Sequence, residues 1–127
     1  MLALVATGKA DTRVELREVP DPAPARDEAV VETRCVSLNR GEVRMLGSAQ
    51  PGWRPGWDVA GVVVQAAADG SGPRPGARVV GLVRSAAWAQ RVAVPTRHLA
   101  ELPAALDFVP AATLPVAGLT ALRALAV

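Results

Sequence analysis

At 127 residues the chain has the length of one domain and can bury a modest core. Half of it is hydrophobic and a fifth is charged, an ordinary globular balance. The net charge of +2 is scattered, nearly all its positive part is Arg, and it gives no basis for a nucleic acid or an acidic membrane surface as partner. One cysteine, Cys35, excludes an internal disulfide and makes no zinc-binding pattern.

The N-terminus, Met1 to Ala6, is apolar but short. It meets Lys9 and Asp11 at once, so it reads as a strand and not as a signal peptide. The longest apolar stretch, Phe108 to Leu122, holds Pro110 and Pro115 and is too short to span a bilayer. The expected location is the cytoplasm.

Residues 2–7 and 13–19 read as two strands around a turn. In the second, Val14 and Leu16 alternate with Glu15 and Arg17. Pro20, Pro22 and Pro24 then make a stiff extended link. Residues 28–37 form a longer strand, with Val31, Thr33 and Cys35 expected on one face. Cys35 reads as core filler. Asn39 to Leu46 reads as a short helix, and 48–56 as loop. A strand over 58–68 contains Gly61, which marks a bulge or a close backbone approach. Pro75-Gly76 fits the centre of a type II turn. Strands over 77–83 and 87–94 follow. Short strands with regularly spaced turns indicate a barrel or sandwich.

The last twenty residues differ. Asp107 fits a helix cap, with Pro110 tolerated in the first turn. A second helix is expected from about Pro115 to Val127, apolar nearly all round and in need of cover on several sides. It stops without a Gly cap or a polar turn, as an interrupted chain would. Domain bounds are therefore set at 1–106 for the barrel and 107–127 for a helical linker. Gly70-Ser71-Gly72 lies in a Pro-rich loop and opens no helix, so no dinucleotide-binding fingerprint is present.

Five segments share one order with a known family. Pro55-Gly56-Trp57-Asp58-Val59-Ala60-Gly61-Val62-Val63 resembles P-G-x-D/E-x-A-G-x-V. Val36 to Glu42 resembles V-x-x-N-x-x-D/E, and Pro73 to Val79 resembles the turn and strand F-x-x-G-D-R-V. Ala87 to Pro95 resembles G-A-Y/W-A-E-Y-V-V-V-P, and Ala111 to Ala121 resembles A-A-x-L-P-x-A-G-L-T-A. Together they resemble the N-terminal catalytic domain of the medium-chain dehydrogenase/reductase superfamily. Zinc members carry a metal-binding His where Trp57 stands, and Trp offers a metal no lone pair. The resemblance is therefore to the zinc-free, quinone oxidoreductase-like branch.

That resemblance implies a mainly β fold with short helices: a GroES-like, partly open β-barrel ending in helices that would lead into a missing Rossmann domain. It implies an enzyme that transfers hydride from NADPH to a quinone, enone or enoyl thioester, with no zinc. This barrel would form one wall of the cleft and be inactive alone. A second reading is the enoyl reductase unit of a polyketide synthase. A third is a non-catalytic GroES-like module for binding or assembly.

The resemblance nominates Asn39 beside the nicotinamide, as a catalytic and cofactor-binding residue. The same Asn suits a helix cap, with Glu42 completing a capping box. Thr120 would approach the nicotinamide from the barrel side; alternatively its hydroxyl bonds back one helical turn. Trp57 is expected to line a slot for a flat substrate or to cover core. Arg44 stands where relatives carry Tyr, and binds an anionic group or is a solvated helix-face residue. The chain has no Tyr at all, so Tyr-assisted protonation is excluded within this domain. Asp58 orients its neighbours or pairs with an Arg, a salt bridge being the favoured expectation. His98, the only imidazole, reads as a surface residue. The exposed apolar tail is expected to drive self-association or to be left frayed.

Overall fold

The computed structural model describes residues 1–126, so Val127, the end of the expected tail helix, lies outside the described residues. Two strands open the chain: β1 (Leu2–Ala6) and β2 (Val14–Glu18), paired antiparallel. Then come β3 (Glu28–Val36), helix α1 (Arg40–Leu46), β4 (Asp58–Gln65), β5 (Arg78–Leu82), β6 (Arg91–Pro95) and β7 (Leu99–Glu101). They form an antiparallel sheet of order β6-β3-β4-β5-β7. The hairpin closes on this sheet through the segment before β6: the Leu4 amide donates to the Trp88 carbonyl at 2.9 Å and the Gln90 amide to the Leu2 carbonyl at 3.0 Å. The result is the expected mainly β, curled, partly open GroES-like barrel.

Inside lie Ala29, Val31, Val59, Val63, Val79, Val92 and Val94, with Trp88 closing one end. Small and β-branched residues suit the concave side of a curled sheet. The outer face of β4 and β5 is covered at Ala60 and Val80 by helix α2 (Phe108–Ala112), through the buried Ala111 and Ala112. Arg78 anchors that helix. Its guanidinium donates to the carbonyls of Pro103, Ala104 and Leu106 at 3.2, 3.1 and 2.6 Å, and lies 4.7 Å from the centre of the Phe108 ring.

Several expectations are corrected. The pairing of β3 with β4 slips between Thr33 and Cys35, where two residues on β3 face one step on β4. A bulge reverses the alternation beyond it. Val31 therefore packs inside, whereas the partly buried Cys35 packs in the α2 cluster on the outer face. Gly61 fits its expected role: a Cβ there would strike the Glu32 carbonyl across the ladder. The sixth strand begins at Arg91, not 87: the chain turns at Ala86 (φ +72°), and the amides of Ala87, Trp88 and Gln90 bond to the carbonyls of Gly56, Pro55 and Leu2 instead of joining the ladder with β3. The segment 96–99, which reads in the sequence as a connecting strand, is a short 3₁₀ turn (Thr96–His98) followed by β7.

The tail holds two different windings. Leu114–Gly118 is a π-helical turn, and α3 (Leu119–Leu125) continues it. Pro115 has no N–H, and the next amide, that of Val116, bonds outside the helix to Asp58 at 3.0 Å. This start without local amide bonds accompanies the wider turn. None of the helices is long and apolar enough to cross a membrane among the described residues.

A candidate cleft wall around Asn39

Two chain reversals build the site. The first is the end of β3, where Ser37 and Leu38 lead to Asn39. Asn39 is extended (φ −100°, ψ 142°) and caps α1. The second is Pro55-Gly56. Gly56 has φ +111°, and a Cβ there would strike the backbone of Ala87 and Trp88. Only glycine fits this position. That turn sets Trp57 and Asp58 beside the first turn of α1.

Two carboxylates, both fully buried, organise the surroundings of Asn39. Glu42 Oε2 accepts from the Asn39 amide and Oε1 from the Trp57 amide, each at 2.6 Å. The first bond is one half of the expected capping box. For the other half, Asn39 Oδ1 only approaches the Glu42 amide and makes no hydrogen bond of normal geometry. Asp58 Oδ2 accepts from Asn39 Nδ2 at 2.8 Å and from the Ser37 hydroxyl, while Oδ1 accepts from the Val116 amide. Asn39 is thus held on its backbone by Glu42 and on its side chain by Asp58, and its Oδ1 keeps unused acceptor capacity.

The expected salt bridge at Asp58 is not formed. Neither carboxylate has a cationic partner among the described residues; their charge is met by N–H and O–H donors alone. Burial pushes the Glu42 carboxyl above its ordinary range. The amides of Asn39 and Trp57 and the Asn39 side chain oppose this, and the nearby Asp58 carboxylate adds to it.

Trp57 is half-buried and lies outside the barrel's core cluster. Its ring edge rests on Gly41, where an added Cβ would stand 2.5 Å from Cη2 and 2.9 Å from Cζ3. Trp57 and Asn39 therefore share one wall, joined through Glu42. Arg44 and Thr120 are exposed on α1 and α3, and no hydrogen bond joins either to Asn39 or Trp57. A Cβ at Gly118 would meet only the Leu114 side chain, at 3.6 Å. A separate apolar cleft of about 520 Å³ lies between β5, β7 and the tail, lined by Leu82, Leu99, Leu119, Arg97, His98 and Arg123. Among the described residues, no three His, Cys, Asp or Glu side chains gather where they could hold a metal ion.

Two parts of this site escaped the sequence reading. Glu42 had a visible signal, its place three residues after Asn39, but its second bond to Trp57 had none. The bond from Val116 to Asp58 spans 58 positions and had no signal either.

The sequence pattern of the alcohol dehydrogenase GroES-like domain matches residues 25–104. The chain belongs to this family. Solved structures agree with the GroES-like assignment. The human synaptic vesicle membrane protein VAT-1 homolog-like protein superposes with a TM-score of 0.90 at 25% identity, over 98% of this chain and 42% of its own. The quinone oxidoreductase of Coxiella burnetii also gives 0.90 at 25% identity, over 98% and 44%. That of Thermus thermophilus, solved alone and with NADPH, gives 0.81 at 33% identity, over 98% and 40%. The GroES-like chain thus spans less than half the length of each of these relatives.

Proposed function

We propose that this GroES-like domain is the barrel side of an NADPH-dependent, zinc-independent oxidoreductase acting on a quinone, an enone or an enoyl thioester. The observation that carries this reading is Asn39. Its backbone and its Nδ2 are both committed to buried carboxylates, and its acceptor oxygen has capacity to spare. An immobilised amide acceptor suits the carboxamide of a nicotinamide. The relatives solved with NADPH, that of Thermus thermophilus among them, support the choice of cofactor.

When bound, the cofactor supplies the hydride. This chain's residues orient. Asn39 holds the nicotinamide side, and Trp57 offers a flat apolar wall to a planar substrate. Thr120 and Arg44 are the exposed groups that would meet the cofactor and an anionic substrate group. The chain shows no Gly-rich turn opening a helix, so it fits the nicotinamide end of the cofactor and not its pyrophosphate. With Trp57 and Asn39 at the family's metal-binding positions, the wall offers no set of zinc ligands.

The test uses the protein produced from its natural reading frame. NADPH oxidation is followed with a quinone, an enone and an enoyl thioester, and zinc is measured in the same sample. The expected result is turnover with one of these classes, without stoichiometric zinc. Asn39→Ala should lower kcat/KM about 10- to 100-fold, the loss of one or two oriented hydrogen bonds. Turnover that depends on one tightly held zinc per chain would overturn the reading.

A further inference from the structure

We infer that Asp58 is a positioning residue that holds the Asn39 side chain and the start of the π-helical tail in one frame. Oδ2 takes Asn39 Nδ2 and the Ser37 hydroxyl, and Oδ1 takes the Val116 amide. No other polar side chain among the described residues reaches both the barrel end and the tail in this way.

Three features support a device over a local ion site. First, Asp58 is fully buried and has no cationic partner. A buried carboxylate is kept only by its donors, so each of the three is under pressure to stay in place. Second, an ionised carboxylate accepts and does not donate. It therefore selects the amide rotamer of Asn39 in which Nδ2 meets Asp58 and Oδ1 lies on the side of the Glu42 amide, with a lone pair to spare. Third, the Val116 amide is the first N–H after Pro115 in the π-helical turn, and its partner lies outside the helix. The winding of 114–118, and with it the placement of Thr120 at the start of α3, is set from the barrel.

The consequence for the cofactor rests on the function proposed above: the acceptor of Asn39 and the hydroxyl of Thr120 would be presented together or not at all. The positioning itself does not depend on that reading, and its test uses no cofactor. In the ¹⁵N,¹³C-labelled chain, the Val116 amide should be protected from hydrogen exchange and show a through-bond coupling to the Asp58 carboxylate carbon. Asp58→Asn keeps the size but places an N–H₂ where one set of donors points. It should speed Val116 exchange about tenfold or more, as expected for a lost charge-assisted bond, and shift the Asn39 side-chain amide signals. Val31 and Val94 in the core should stay protected. Asp58→Glu, with the carboxylate retained, should restore part of both effects.

The inference is overturned if Val116 in the unchanged chain exchanges like a free amide or shows no coupling to Asp58. It is equally overturned if Asp58→Asn moves the Asn39 or the Val116 signals alone. Should Asp58→Asn not fold, the coupling in the unchanged chain decides. If these tests are passed while the protein produced from its natural reading frame gives no turnover with NADPH and any of the three substrate classes, the proposed function is refuted and the positioning stands.

Discussion

The indole of Trp57 rests on Gly41, with Cη2 2.5 Å from where a Cβ would stand. Residue 41 lies in the first turn of a helix, where Ala is ordinarily favoured over Gly by about 0.5–1 kcal/mol. The glycine is explained by the ring beside it.

This relationship predicts a change of sign. Gly41→Ala alone should destabilise by about 1–3 kcal/mol through overpacking against the indole. In a Trp57→Ala background the same change should stabilise by about 0.5–1 kcal/mol. A double-mutant cycle by urea denaturation measures both. Equal effects in the two backgrounds would mean that the ring does not occupy this place.

Glu42 predicts a pH dependence. Its carboxyl is raised by burial, so the folded protein holds this proton more tightly than the unfolded chain. The associated stability is fully present below the unfolded value, about 4.5, and is lost as pH rises through the folded value. Glu42→Gln removes that component, and it also leaves either the Asn39 or the Trp57 amide without an acceptor. Unfolding free energies across this range should fall more steeply with pH in the unchanged chain than in the variant. Parallel curves would show that Glu42 does not titrate differently on folding.

Much of the barrel was legible because its signals are local. Uncharged residues alternating with charged ones marked β2 and β3, Pro75-Gly76 marked a turn at which Gly76 has φ +90°, and Gly61 marked a close approach. Misreadings arose where a distant partner decides. A bulge opposite β4 turned Cys35 to the other face, and the bonds of residues 87, 88 and 90 to positions 56, 55 and 2 delayed β6. At the site, Asn39 and Glu42 were visible from capping chemistry. For Asp58 the orienting role was one of two open readings and the salt bridge was preferred, because an acidic residue after a turn suggests an Arg partner; its actual donors come from positions 37, 39 and 116.

The tail predicts solubility behaviour. Leu122 is 65% and Leu125 85% exposed, on a helix that continues the π-helical turn and buries none of its own residues. Exposed apolar faces of this kind promote association. Replacing both by Glu should raise solubility and lower the apparent mass in light scattering, with barrel amides unchanged. An unmodified chain that is already a stable monomer with a well-protected α3 would contradict this.

In the function proposed here, this chain offers the nicotinamide end of the site without the phosphate end. Titrating NADPH into the ¹⁵N-labelled chain should then show weak binding, with a Kd on the order of millimolar, and shifts gathered at Asn39, Trp57 and Thr120. Micromolar binding, or shifts gathered instead at Leu82, Leu99 and Arg123, would contradict it.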